Sequence, residues 1–154
     1  MRLLLDTGML SQVCYPFPLE NRPFCEWFLS ALGEPDKYEL VIPEIADYEL
    51  RRKLIHLKVY RGHRAAAESL VRLDELVDQV DYQPIDSETM HQAANFWAEA
   101  RGTGRPTAPE PALDGDVILA AQAFTSDGQV LTNNPKHLGR FVQIFDWQSQ
   151  LPAQ

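Results

Sequence analysis

The chain has few cysteines and no long hydrophobic run. Two cysteines, Cys14 and Cys25, are too few for a disulfide framework, so we expect a fold held by its core in a reducing, cytoplasmic setting. No apolar stretch reaches the roughly 18 residues of a transmembrane helix, and the one near the N-terminus is too short for a signal peptide. The 154 residues suit a single domain. We expect no association with a membrane.

Several common site motifs are also missing. There is no G-x-x-x-x-G-K-[ST] loop for nucleotide phosphates, and Gly102-x-Gly104 neither follows a strand nor opens a helix. The four histidines are too scattered for a zinc site, so we expect them at the surface or its boundary: His56, His63, His91 and His137. A net charge of −8 argues against a generally basic nucleic-acid binder, unless the average hides a divided surface.

Short apolar runs alternate with helical patterns along the chain. Such runs, closed by Asp, Gly, Pro or Asn, are typical of strands buried on both faces of a parallel sheet. Helices are predicted between them, including an apolar one over 117–124. We therefore expect an α/β fold with a mostly parallel five-stranded sheet, residues 1–147 forming the domain and 148–154 a short tail. The five predicted strands are 3–5, 40–42, 80–83, 130–132 and 142–145.

Acidic residues stand where ligands bind in such folds. Asp6 follows the first strand, at the carboxyl end where open parallel sheets bind ligands, although a helix cap or a turn is an equal alternative. On a helix after the second strand, Ile45, Tyr48 and Glu49 share a flank, so Glu49 can point inward. Asp114 and Asp116 open the apolar helix, where capping competes with a ligand role.

Carboxylates that converge on one point repel each other unless a cation lies between them. Mg²⁺ or Mn²⁺ takes such oxygen ligands and suits phosphoryl chemistry, since the ion holds the phosphate and lowers the pKa of a bound water. A magnesium-type site is therefore the hypothesis for these acids. Glu44, at the very start of its helix, is the alternative to Glu49, with a capping role as its simpler interpretation.

Three segments together resemble a known family. LLLDTGML, ADYELRRKL and DGDVILAAQAFTSDGQVLTNNPKHLGRF look like the motifs of PIN-domain ribonucleases, and most of all of the VapC toxins of bacterial toxin–antitoxin pairs. The similarity covers nearly the whole chain, and the last segment is its most specific part. The resemblance implies a three-layer α/β/α fold and Mg²⁺- or Mn²⁺-dependent cleavage of RNA. It also implies a small VapB-like antitoxin as partner, and a homodimer.

Carried over by motif, Asp6, Glu49 and Asp116 would be the catalytic metal ligands, with Asp114 as an extra acid that joins them or only caps its helix. The fourth acidic position of the family falls on Asn134, a neutral residue. This departure weakens the case for a second ion and motivates an alternative: a PIN-like protein that binds RNA or a partner with weak catalysis. A phosphatase or flap-type DNA nuclease using the same acids is a third hypothesis.

Other residues are candidates for contacts with phosphate. Thr7 and Thr132 can hydrogen-bond ligands, with turn structure as the alternative. Residues 51–64 carry six cations and no acid, directly after Glu49, so a phosphate backbone can approach there despite the acidic average. An exposed helix face is the other interpretation of that run. The candidate RNA-binding residues are Arg51, Arg52, Lys53 and, in a predicted surface loop over 102–111, Arg105.

Overall fold

Four parallel strands form one sheet in the computed structural model, which describes residues 1–104 and 110–151. The strands are β1 (Arg2–Leu5), β2 (Glu39–Pro43), β3 (Asp81–Gln83) and β4 (Gln129–Leu131). Their order across the sheet is β3-β2-β1-β4, so the chain changes sides of β1 between β3 and β4. In open α/β sheets such a switch point leaves a crevice at the carboxyl ends of the strands.

Helices cover both faces of this sheet. The first four pack on one face and the next two on the other, which gives three layers. None of the described helices is long and apolar enough to cross a bilayer. The helices are α1 (Thr7–Cys14), α2 (Arg22–Leu32), α3 (Glu44–Arg61), α4 (Arg64–Gln79), α5 (Ser87–Gly102), α6 (Glu110–Thr125) and α7 (Pro135–Leu138).

The continuous apolar run of β1 is explained by this layering. Successive side chains of a strand point to opposite faces. Leu3 and Leu5 therefore pack with α1–α4, whereas Leu4 packs with α5 and α6, and all three are fully buried. A strand that is buried on both faces cannot alternate with polar residues, so β1 is the central element of the fold.

The predicted α/β/α class is confirmed, but the fifth strand is wrong. Within the described residues, segment 142–145 makes only one parallel bridge to β4, between Ile144 and Val130. Its neighbours leave the sheet because Phe145 and Trp147 turn into a cluster of aromatic rings around Phe24 and Trp27. The domain boundary at 147 remains a prediction: Gln148–Gln150 form one 3₁₀ turn, and 152–154 lie outside the described residues.

Asp6 is a helix cap, and the start of one other helix differs from the sequence-based expectation. Helix α1 begins directly after β1, because Asp6 caps it by accepting the Met9 N–H at 2.7 Å. Helix α6 begins at Glu110, so Asp114 lies inside the helix and is not its N-cap. The earlier start moves Asp114 and Asp116 into the second turn.

A buried glutamine ties α6 to the opposite edge of the sheet. The Gln122 side chain is fully buried, and its Nε2 donates to the Gln83 carbonyl at 2.7 Å. In return, Gln83 Nε2 donates to the Gln122 carbonyl at 2.8 Å, and the Ile45 N–H donates to Gln122 Oε1 at 3.3 Å. The Ile45 N–H lies in the first turn of α3, where no intrahelical acceptor exists. Gln122 thus holds α6, β3 and α3 in a fixed arrangement.

Replacing Gln122 by leucine is expected to destabilise the protein, because the Gln83 carbonyl and the Ile45 N–H lose their buried partner. The expected loss in the free energy of unfolding is about 3 kcal/mol, or roughly 6–12 °C in Tm. Thermal denaturation followed by circular dichroism measures it. Gln143→Leu, at an exposed glutamine, is the matched control and should stay within about 0.5 kcal/mol. Equal stability of the two variants would show that the hydrogen bonds of Gln122 do not stabilise the fold.

Candidate active site

A cleft of about 220 Å³ lies at the carboxyl ends of β1 and β4, at the switch point of the sheet. Side chains from α1, α3, α6 and α7 complete its walls. It gathers three carboxylates from three separate parts of the sequence. The lining residues are Asp6, Thr7, Gly8, Glu49, Ala112, Gly115, Asp116, Leu119, Thr132, Asn134, His137 and Leu138.

Asp6 is both a helix cap and a cleft residue. Because β1 and β4 are neighbours, the Asp6 N–H donates to the Leu131 carbonyl at 3.0 Å, which brings Thr132 beside it. Burial raises the pKa of Asp6, while hydrogen bonds from the Thr132 hydroxyl and the Met9 N–H lower it in part. The capping and ligand interpretations of the sequence are therefore compatible, since a carboxylate has two oxygens with several acceptor sites.

Glu49 points into the cleft from the second turn of α3. The Thr7 hydroxyl donates to Glu49 Oε1 at 2.9 Å, which orients the carboxylate. Gly115 of α6 passes so close that a Cβ atom there would lie 2.9 Å from Glu49 Oε2. On the outer side, the Arg52 guanidinium is 3.8 Å from the same oxygen. The predicted shared flank is only partly right, because Tyr48 is 56% exposed.

Asp116 has an oxygen without a hydrogen-bond donor. Its Oδ2 atom is buried and receives no hydrogen bond, and the His137 Nδ1 atom lies 3.5 Å from it. Burial raises the pKa of Asp116, the nearby His137 lowers it, and the charges of Glu49 and Asp6 raise it further. An anionic oxygen in this position is costly unless a cation or a donor approaches it.

The chemistry of the donor set fits a hard divalent cation. Asp6, Glu49 and Asp116 supply only oxygen atoms, the ligands that Mg²⁺ and Mn²⁺ prefer, and the buried Oδ2 of Asp116 receives no hydrogen bond that an ion would have to displace. Over residues 1–104 and 110–151, no three acidic, histidine or cysteine side chains are clustered tightly enough to hold an ion without rearrangement.

Not every acid from the sequence prediction faces this cleft. Asp114 is exposed and lies on the α5 side of α6, in a groove with Met90 and Trp97. Its side chain is therefore apart from the three cleft carboxylates. Glu44 accepts a hydrogen bond from the Ile85 N–H, which joins α3 to the segment after β3 and leaves Glu49 as the cleft residue.

The predicted supporting residues are found at the cleft. Thr7 and Thr132 each hydrogen-bond one of its carboxylates. Asn134 lines the cleft, and its backbone N–H donates to the Thr132 hydroxyl at 2.9 Å. This local turn keeps Asn134 next to the hydroxyl that contacts Asp6.

The predicted RNA-binding cations have different surroundings. Arg51 is held by Asp47 and Asp74, so it ties α3 to α4 and is not available at the cleft. Arg52 is on the cleft rim, beside Glu49. Lys53 lines a separate apolar groove between α1, α3 and α4. Arg105 lies outside the described residues.

His137 and Gly115 belong to the cleft but were missed as site residues. His137 was expected to be a surface or boundary residue, because its spacing from the other histidines excludes a zinc pair. It enters the cleft because α7 starts at Pro135 and turns its third residue towards Asp116. The available signal was its position three residues after Asn134. For Gly115 the signal was its place between two acids in Asp114-Gly115-Asp116.

Comparison with known proteins gives one family match and several similar folds. A family model described as PIN domain matches residues 3–141, a range that contains all three cleft carboxylates. No curated protein matches the chain in sequence.

The similar solved structures cover nearly all of this chain. DNA-bound VapBC from Salmonella typhimurium has a TM-score of 0.73 at 19% identity, covering 96% of this chain and 98% of that one. FitAcB from Neisseria gonorrhoeae has a TM-score of 0.71 at 20% identity, covering 95% and 98%. VapBC2 from Rickettsia felis, bound to a fragment of promoter DNA, has a TM-score of 0.70 at 16% identity, covering 96% and 99%. At these identities the likeness shows a shared fold.

Replacing Gly115 by alanine is expected to weaken metal binding without lowering the stability of the fold. The new Cβ displaces the Glu49 carboxylate, whereas alanine in a helix stabilises the fold by up to about 1 kcal/mol relative to glycine. We expect an unchanged or raised Tm and a Mn²⁺ affinity lowered by roughly tenfold, measured by calorimetry. Gly8→Ala is the control: its Cβ would make only an ordinary 3.4 Å contact with Asp6, so its loss should be smaller. A Mn²⁺ affinity equal to that of the wild type in Gly115→Ala would contradict a metal-binding role of the Glu49 carboxylate in its present position.

Proposed function

The chain belongs to the PIN-domain family, and from this premise we propose that it is a Mg²⁺- or Mn²⁺-dependent endoribonuclease that hydrolyses RNA phosphodiester bonds. The observation that carries the proposal is the convergence of three carboxylates on one cleft, where a buried oxygen of Asp116 has no hydrogen-bond donor. Such a site favours a divalent cation, and a bound cation attracts a phosphate group.

Each side chain has a distinct task in this proposal. Asp6, Glu49 and Asp116 hold the cation, while Thr7 and Thr132 fix two of the carboxylates by hydrogen bonds. When bound, the ion supplies positive charge that acidifies a water molecule and stabilises negative charge on the phosphodiester. No side-chain nucleophile is required, because a water molecule acidified in this way can itself attack the phosphodiester.

A toxin role and an antitoxin partner are further parts of the proposal. The chain resembles the VapC toxins in its motifs, and its fold is shared with VapBC structures. A VapB-like antitoxin that inserts a basic segment would complement the acidic cleft electrostatically. The homodimer implied by the resemblance remains a prediction.

A protein of this fold that binds RNA or a partner with little catalysis is the second candidate. Asn134 favours it, because a neutral amide lines the cleft where the resembled family has an acid. The two candidates differ in what the cleft carboxylates do: they are essential for cleavage in the first and dispensable for binding in the second.

Removing any one of the three cleft charges is expected to stop RNA cleavage. Asp6→Asn, Glu49→Gln and Asp116→Asn should each lower the rate by at least about 100-fold, because each removes a charge that holds the cation. Wild-type cleavage should also stop in EDTA and return with Mg²⁺ or Mn²⁺. The rates are measured by gel assay on a panel of RNA, single-stranded DNA and branched DNA.

Asp114→Asn is the matched control for this set. It removes the same charge from the same helix, but from an exposed position outside the cleft, so cleavage should stay at the wild-type level. Cleavage that resists both EDTA and Asp6→Asn would contradict the proposed site. RNA binding without any cleavage would favour the second candidate, and preference for branched DNA would favour the flap-type hypothesis.

His137 is expected to act through its Nδ1 atom, which is 3.5 Å from Asp116 Oδ2. An asparagine amide nitrogen approximates Nδ1, whereas a glutamine amide nitrogen approximates Nε2. His137→Asn should therefore keep most of the Mn²⁺ affinity and cleavage rate, and His137→Gln and His137→Ala should each lose roughly tenfold. Lys136→Ala, its exposed neighbour on α7, is the control. Equal loss in the asparagine and glutamine variants would exclude the Nδ1 role.

A further inference from the structure

Four exposed planar side chains form a ridge along α3. Tyr48, Arg52, His56 and Tyr60 are spaced four residues apart, so they form one i, i+4 row that is inclined to the helix axis and winds gradually around the helix. Tyr48 is 56% exposed and Tyr60 is 75% exposed. The Arg52 guanidinium lies over the Tyr48 ring at 5.0 Å, and the His56 and Tyr60 rings are 5.5 Å apart with an interplanar angle of 31°. We call these four residues the α3 ridge.

The α3 ridge starts at the cleft and leads away from it. Tyr48 precedes Glu49 in the chain, and the Arg52 guanidinium is 3.8 Å from Glu49 Oε2. From Tyr48 to Tyr60 the helix rises by about 18 Å. A strand with one phosphate in the cleft can therefore continue along the ridge for several nucleotides.

The charge around the α3 ridge suits a nucleic acid. Lys53, Lys58 and Arg61 are exposed on the same helix, and among the described residues none of the three forms an ion pair with a carboxylate. Arg51 and Arg64 differ, since acidic side chains hold them. Lys53 and Arg61 directly follow the ridge residues Arg52 and Tyr60 in the chain, so positive charge lies beside both halves of the ridge, where it can attract a phosphate backbone.

We propose that the α3 ridge is a stacking platform for unpaired nucleotides of the strand that enters the cleft, an inference that rests on the proposed nuclease function. Aromatic rings and the guanidinium plane stack on bases of any sequence, and flanking cations hold the backbone. Bases within a duplex are already stacked and do not offer their faces. The platform therefore selects single-stranded segments, and its contribution increases with the length of the strand.

The binding test uses the Asp6→Asn protein in Mg²⁺-free buffer, so that binding is measured apart from cleavage. Fluorescence anisotropy is recorded with an unstructured RNA of about 12 nucleotides and an RNA hairpin, and a competitor of about 3 nucleotides tests the cleft alone. Tyr60→Ala should weaken binding of the long RNA roughly tenfold while leaving the hairpin and the short competitor unchanged. Tyr60→Phe, which keeps the ring, should bind like the parent, and Tyr60→Leu should behave like Tyr60→Ala.

Phe124→Ala is the matched control, because Phe124 is also an exposed aromatic residue (57%) with a single ring partner, but lies on α6 away from the ridge. It should leave RNA binding unchanged. Arg52→Gln should weaken binding and lower the slope of log affinity against log salt by about one, whereas Tyr60→Ala should leave the slope unchanged.

Three results would overturn the stacking proposal. Tyr60→Ala could bind the long RNA as tightly as the parent, it could lose as much affinity for the hairpin as for the long RNA, or Phe124→Ala could lose as much affinity for the long RNA as Tyr60→Ala. Unchanged binding would exclude nucleotide stacking on the α3 ridge. Failure of the proposed nuclease function is a separate outcome. In that case the wild-type protein would cleave no RNA with Mg²⁺ or Mn²⁺, independently of the RNA affinities measured by anisotropy.

Discussion

The fold has to hold several carboxylates close together at one end of a buried sheet, although they repel one another. Asp6 and Asp116 are partly buried, and the pKa of each is raised by burial and by the charge of Glu49. Such an arrangement lowers the stability of the folded chain and persists only because the rest of the fold holds it. Function is the natural reason for tolerating the cost, since the same close carboxylates that oppose folding are suited to binding a divalent cation.

The fold restrains these acids by fixing each one from a different direction. The central strand β1 presents Asp6, and the adjacent β4 brings Thr132 to its carboxylate. Glu49 is oriented by the Thr7 hydroxyl, and the glycine at 115 leaves it room. Helix α6 carries Asp116 and is itself anchored by Gln122 to β3 and α3. The site geometry is thus a property of packed secondary structure rather than of a mobile loop.

Helix α3 joins the acidic and basic parts of the protein. Its N-terminal half supplies Glu49 to the cleft, and its C-terminal half carries exposed cations beside planar side chains. A net charge of −8 therefore describes no single surface: carboxylates line the cleft, whereas several cations of α3 are exposed to solvent. Long-range attraction of a phosphate backbone depends on this local distribution and not on the total.

Much of this was readable from the sequence, because strand burial and helix periodicity are local patterns. Leu3 to Leu5 predicted the central strand, and its following Asp6, together with Glu49 and Asp116, predicted the cleft. Only the tertiary structure decided that Asp114 faces away, that His137 faces in, that Arg51 is paired with Asp74 of α4, and that segment 142–145 adds one bridge instead of a strand. Those outcomes depend on where α6 starts and how distant elements pack, which no local pattern encodes.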